Sequence, residues 1–132
     1  MFTFAMSLLV KTATTTKYIP LTIKEETPIV EMIDSAVDSL SSFYGYSADD
    51  MRYVINCESG WNINAINSTD PNGGSFGILQ FQKETFRHFS SVLGIDDADI
   101  NNPFQQIEVA SYMWGNGLQN HWSCFKKLST LL

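Results

Sequence analysis

One acidic residue, Glu58, occupies a position from which it could act as a proton donor. Met51, Val54 and Ile55 form an apolar stripe at helical spacing, and Glu58 continues it three residues after Ile55. Burial on an apolar helix face raises the pKa of a carboxyl group, and the negative end of the helix dipole acts in the same direction. A carboxyl that keeps its proton near neutral pH can serve as a general acid toward a glycosidic oxygen. A purely structural glutamate at the solvent edge is the alternative.

A second carboxylate would decide whether such an acid supports hydrolysis, because hydrolysis generally needs one to activate water or to stabilise the cation. Asp70 is the best candidate, twelve residues after Glu58 in a segment dense in turn residues. The sequence Asp70-Pro71-Asn72-Gly73 is also an ordinary turn, so a structural role for Asp70 stays open. The other candidates are Asp96, Asp97 and Asp99.

Other chemistries lack the residues that they need. His88 and His121 have no Cys or Asp pair at metal-ligand spacing, so we expect no metal. No serine-hydrolase motif surrounds Ser59, and no lysine follows the glycines of 73–77 to complete a phosphate-binding loop. We therefore expect no cofactor.

Composition narrows the class of protein further. A chain of 132 residues suits one domain, and nine Phe, five Tyr and three Trp exclude an acidic disordered tail. Fourteen acidic against eight basic residues give a net charge of −6, so the general basic footprint of a nucleic-acid-binding protein is absent. The longest apolar runs are too short to span a bilayer.

Residues 1–26 are interpreted as an N-terminal apolar segment with a linker, and 27–132 as the globular domain. Residues 1–10 are apolar, but no positive charge precedes them as it does in a signal peptide. An export segment or its remnant is one interpretation, and a frayed terminus or a strand packed on the domain is the other.

Helices would position Glu58. Thr27-Pro28 predicts the start of a first helix, with the proline at its first position, and Gly45 predicts its end. Ser47 is suited to cap the helix that carries Glu58 and that ends before Gly60.

Three further helices complete the predicted architecture. They are expected over 83–93, from Asn102-Pro103 to Gly115 or Gly117, and near the C-terminus from about Trp122. The fold class is therefore mostly α, an α+β arrangement with a small loop or β-hairpin element around residues 61–81.

Two short motifs carry a family resemblance. Glu58-Ser59-Gly60, followed nineteen residues after the glutamate by Gly77-Ile78-Leu79-Gln80-Phe81, resembles the lysozyme-like transglycosylase domain of soluble lytic transglycosylases and goose-type lysozymes. Asn62 and Ala65 fit that family's pattern between the motifs. The stretch from Asn102-Pro103 to Tyr112 is similar to a later helix of the family, so the resemblance covers about residues 47–118.

The resemblance implies a lysozyme-like fold and a set of roles. Glu58 matches the catalytic acid, which also serves as base, and Ser59 a serine that holds the substrate or orients the acid. The residues that would contact or shape the sugar subsites are Gly77, Ile78, Gln80 and Tyr112, the last through a hydroxyl that reaches the glutamate. Departures from the pattern concern loop shape: Ile63 replaces a frequent proline, Ser111 a glycine, and the loop over 67–74 is long.

Cys57-Glu58-Ser59-Gly60 also resembles the start of the catalytic domain of resuscitation-promoting factors. Cys57 and Cys124 stand where those domains carry cysteines, which implies a disulfide between them. Two buried free thiols are the alternative. A disulfide would support export, because such bonds are rare in the cytosol.

The activity that the resemblance implies is cleavage of the β-1,4 bond between N-acetylmuramic acid and N-acetylglucosamine in peptidoglycan glycan strands. We expect a lytic transglycosylase that leaves 1,6-anhydro ends. The alternatives are a hydrolytic lysozyme (a muramidase) of the same fold and a glycan-binding wall module without turnover. We expect a monomer outside the cell or in its envelope, and a phage component with the same chemistry stays open.

Overall fold

Five α-helices, one short sheet and one 3-10 turn make up the described part of the chain, residues 28–131 of a computed structural model. The predictions on residues 1–26 and on Thr27 lie outside the described residues. The helices are α1 (Ile29–Tyr44), α2 (Ala48–Ser59), α3 (Lys83–Leu93), α4 (Pro103–Gly115) and α5 (Ser123–Ser129), with the 3-10 turn at Gln119–His121.

Capping side chains fix the starts of two helices. The Ser47 hydroxyl accepts a hydrogen bond from the Asp50 N–H at 3.1 Å and so starts α2 as predicted. The Asn102 side chain accepts from two backbone N–H groups at the start of α4, the nearer at 2.9 Å. Pro28 differs from its predicted place, since it precedes the first helical residue and its carbonyl accepts from the Glu31 N–H.

The core is built around α4, which packs against α1 and α3. The predicted apolar stripe of α2 is buried, as Met51 illustrates, and α1 and α4 contribute Ile33 and Ile107 to the same core. Because α4 is covered on several sides, it also buries two polar residues that the apolar pattern did not predict, Gln106 and Ser111. Partners for both exist, in agreement with the rule that buried polar groups are hydrogen-bonded.

Three two-residue strands form an antiparallel sheet in the order β1-β2-β3, where β1 is Ile66–Asn67, β2 is Ser75–Phe76 and β3 is Phe81–Gln82. Ile66 pairs with Phe76, and Phe76 with Phe81. The sheet confirms the predicted small β element around 61–81. Its last strand leads directly into α3.

A disulfide joins Cys57, near the end of α2, to Cys124 in α5, with their Cα atoms 6.0 Å apart. The pairing that the family resemblance implied is therefore present. It fastens the short C-terminal helix against the end of α2, where Glu58 lies. Among the described helices, none combines the length and the apolar character that crossing a membrane requires.

Removing this bridge should lower the stability of the fold considerably. The cross-link closes a loop of 67 residues, and the loss of that constraint on the unfolded chain corresponds to about 4 kcal/mol. Urea unfolding of the Cys57→Ser/Cys124→Ser variant should show this loss, and the reduced parent protein should match the variant. Two free thiols in a titration of the unreduced parent would contradict the bridge.

Candidate active site

Glu58 lies in the wall of a groove of about 250 Å³ beside the end of α2. The groove draws its other side chains from the loop before β2, the turn before β3, the start of α3 and the C-terminal segment. Those that matter for its chemistry are Asp70, Gln80, Thr85, His121 and Lys126.

The Glu58 carboxyl is half-buried, and this burial raises its pKa above the usual range for glutamate. The backbone of Cys124 acts in the opposite direction by hydrogen bonding to the carboxylate. The charge of Asp70 raises the pKa again, whereas the charge of Lys127 lowers it. Since the raising effects prevail, the geometry supports a proton donor at this position.

Asp70 is the carboxylate that the structure brings into the same groove as Glu58. One of its oxygens accepts a hydrogen bond from the Asn67 side-chain amide at 3.0 Å, and the other accepts from the Ser75 hydroxyl. Asp70 therefore clamps its own loop and also places negative charge near Glu58.

The other predicted acids lie elsewhere. Asp96 and Asp97 line a larger groove, of about 430 Å³, beside α3, together with Phe86 and Ile95. Asp99 is exposed, and its carboxylate accepts a hydrogen bond from the Asn101 N–H within a loop. The larger groove contains no buried acid and is not the candidate site.

Ser59 links the end of α2 to the turn over 77–80. Its hydroxyl donates a hydrogen bond to the Ile78 carbonyl oxygen at 2.7 Å, and the Ile78 side chain is fully buried in the core. In this structure Ser59 holds the turn beside Glu58, and any contact of Ser59, Gly77 or Ile78 with substrate stays a prediction.

Buried side chains from α4 and from the segment before α5 secure the same turn. The amide of Gln106 accepts from the Leu79 N–H at 3.0 Å and donates to the carbonyl oxygens of Phe76 and Ile100, at 2.9 and 2.7 Å. The Trp122 indole N–H donates to the Leu79 carbonyl oxygen at 2.9 Å. The turn is irregular backbone inside the core, and these side chains satisfy its polar groups.

Gln80 ends the turn with a left-handed backbone, φ +53°, and faces the groove. Its side-chain amide donates to the carbonyl oxygens of Gly77 and Ala65, at 2.9 and 3.2 Å. The described residues donate no hydrogen bond to its amide oxygen, which leaves that oxygen open to a ligand. Contact of Gln80 with substrate stays a prediction.

Tyr112 does not belong to the residues that line the groove. Its ring on α4 lies 6.2 Å from the Tyr44 ring and 6.5 Å from the Phe89 ring, measured between centroids. Phe89 in turn lies 6.1 Å from the imidazole of His121, which does line the groove. Direct contact between Tyr112 and Glu58 therefore stays a prediction.

Some residues of the site did not emerge from the sequence. Gln106 had a usable signal, because a polar residue on the buried face of a helix demands hydrogen-bond partners. Thr85, His121 and Lys126 had none, since their positions depend on how α3 and α5 dock. Within residues 28–131, no three His, Cys, Asp or Glu side chains come together as a metal site.

The close approach of Gly77 to Gln106 makes a testable prediction. Gly77 has φ +81°, and a Cβ atom there would lie 2.2 Å from the Gln106 amide nitrogen. Gly73 has a similar backbone, φ +90°, with nothing within 4 Å of its Cβ position. Thermal or urea unfolding should show a loss of about 1 kcal/mol for Gly73→Ala, from backbone strain alone, and about 3 kcal/mol for Gly77→Ala. Equal losses would mean that Gln106 does not fix the turn.

Comparison with known proteins agrees with this geometry. The family model described as "Transglycosylase SLT domain" matches residues 36–124, from within α1 to Cys124 in α5. No curated protein and no solved structure matched the chain. The matched span is more than half of the chain and includes Glu58, the turn over 77–80 and most of the helical core. The chain therefore belongs to the transglycosylase SLT domain family, with its lysozyme-like α+β fold and its general activity of peptidoglycan cleavage of the lytic transglycosylase type.

Proposed function

We propose that this domain cleaves the β-1,4 bond between N-acetylmuramic acid and N-acetylglucosamine without water and leaves a 1,6-anhydro end. The observation that carries the proposal is the half-buried Glu58 carboxyl, with its raised pKa, in the wall of a groove. A group that holds its proton in that setting can protonate the oxygen that leaves when a sugar linkage breaks.

In the first step Glu58 donates its proton to the glycosidic oxygen, and the bond from that oxygen to C1 of the muramic acid breaks. The N-acetyl oxygen of the same sugar attacks C1 and takes up the developing positive charge. Glu58 is then a carboxylate. The nearby Lys127 charge and the Cys124 backbone stabilise that form, since both lower its pKa.

In the second step the Glu58 carboxylate accepts the proton of the muramic acid C6 hydroxyl. The C6 oxygen attacks C1, the bond from the N-acetyl oxygen to C1 breaks, and the 1,6-anhydro ring closes. No water is consumed, and the C6 hydroxyl proton replaces the one that Glu58 gave to the leaving oxygen. One carboxyl group acts as acid and then as base, so this route requires no second catalytic carboxylate.

Hydrolysis is the second candidate, because Asp70 lines the same groove. A hydrolase would use Asp70 to activate water or to stabilise the sugar cation. Both Asp70 oxygens already accept hydrogen bonds from their own loop, which favours a structural and electrostatic role. In that role the Asp70 charge keeps Glu58 protonated, and the non-hydrolytic route is preferred.

The disulfide also supports a proposal about the compartment in which the protein acts. A bridge between Cys57 and Cys124 is typical of proteins in an oxidising compartment, which supports export to the envelope or the exterior. A phage-borne enzyme would act on the same wall and fits this argument equally well. A monomer stays our expectation.

Glu58→Gln should abolish cleavage and leave the fold intact. Loss of the proton donor should reduce the release of fragments from purified sacculi at least about a hundredfold. Glu31→Gln is a matched control, because it makes the same chemical change at an exposed position in the first turn of α1. Undiminished release by Glu58→Gln would refute the assignment, and binding without release by the parent protein would favour a wall-binding module.

Mass spectrometry of the released fragments separates the two routes. Lytic cleavage predicts 1,6-anhydro muramic acid ends, each one water lighter than a reducing end. Asp70→Asn should still yield anhydro ends. Because the Glu58 pKa drops in this variant, the loss of rate with rising pH should begin at a lower pH than in the parent. Reducing ends from the parent protein, lost in Asp70→Asn, would establish hydrolysis.

A further inference from the structure

The cations of the described region fall into two groups. Arg52 forms ion pairs with three aspartates of α1 and α2, and Arg87 pairs with Glu84. The lysines form no ion pair with any carboxylate of residues 28–131, although acids outnumber bases there. These are Lys83, Lys126 and Lys127.

Two of these three lysines, Lys126 and Lys127, lie at the catalytic groove. Lys126 lines it, and the charge of Lys127 acts on Glu58. Lys83 instead lines the larger groove beside α3, with its ammonium 5.1 Å from the centre of the Phe76 ring. Within residues 28–131, two of the three lysines that form no ion pair there therefore lie beside the groove that contains Glu58.

The positions of Lys126 and Lys127 suit an anionic group on the ligand. Lys126 and Lys127 follow each other in α5, which the disulfide at Cys124 fixes against the end of α2. Two ammonium groups near one groove attract a carboxylate, whereas a neutral sugar gains no such electrostatic attraction. N-acetylmuramic acid differs from N-acetylglucosamine by a lactic acid attached through an ether at O3, and this acid projects from the sugar whose C1 reacts.

We propose that Lys126 and Lys127 bind the carboxylate carried on O3 of muramic acid and so select acid-bearing glycan over neutral N-acetylglucosamine polymers. The proposal rests on the proposed function, since it specifies which sugar the groove accepts. The carboxylate has two sources: the lactyl group itself in peptide-free strands, and the stem peptide in peptide-bearing strands.

The test measures binding in a Glu58→Gln background, so that strands stay whole. The ligands are peptide-free strands, peptide-bearing strands and neutral chitotetraose. Lys126→Gln/Lys127→Gln should weaken binding of an acid-bearing strand on the order of tenfold and flatten its salt dependence. Binding of chitotetraose should not change. Lys83→Gln/Arg87→Gln is the charge-matched control, since it also removes two positive charges. It should behave like the parent, because both side chains line the larger groove beside α3.

The outcomes separate cleanly. A loss confined to peptide-free strands assigns the lactyl carboxylate, a loss confined to peptide-bearing strands assigns the stem peptide, and both support the proposal. An equal loss for chitotetraose, or no loss for any ligand, overturns it. Fragment release from sacculi by the protein with Glu58 intact is measured in parallel: its absence would refute the proposed function, whereas release without the binding contrast would refute the lysine proposal alone.

Discussion

The hydrogen bond from the Ser59 hydroxyl to the Ile78 carbonyl oxygen, 2.7 Å long, is the constraint on which the site depends. It ties the last residue of α2 to a turn of irregular backbone inside the core. Gln106 and Trp122 complete the fastening from α4 and from the segment before α5. Unpaired polar backbone groups in a core cost free energy, so the hydrogen bonds of this turn favour one arrangement of it. Glu58 lies next to the turn and is therefore held in a fixed position.

The charges and hydrogen bonds around Glu58 then set the balance between its protonated and ionised forms. Burial and the Asp70 charge favour the protonated form of Glu58, and the Cys124 backbone with Lys127 favours the carboxylate. Opposed effects of this kind suit a group that must both give and take a proton in one cycle. The disulfide contributes here as well as to stability, because it holds the Cys124 backbone and the α5 lysines against the end of α2.

The sequence predicted the helices well, because apolar spacing and capping residues are local signals. α3 spans Lys83–Leu93 as predicted, and Ser47 and Asn102 cap their helices. The site was predicted less completely. Glu58 followed from its helical spacing, and the turn and the disulfide partners from family resemblance, but the groove wall around His121 and Lys126 depends on how distant segments dock. The spacing of apolar residues along the sequence does not predict how those segments pack together. The short 3-10 turn before α5 also has no recognisable sequence pattern.

The most direct test of the account is the titration of the Glu58 carboxyl carbon by NMR, in the parent protein and in Asp70→Asn. The account predicts a midpoint above the value usual for glutamate in the parent, shifted downward in the variant because a neighbouring negative charge is lost. A Glu58 midpoint at or below the usual value, unmoved by Asp70→Asn, would contradict the central claim that this side chain is held as a proton donor in the groove.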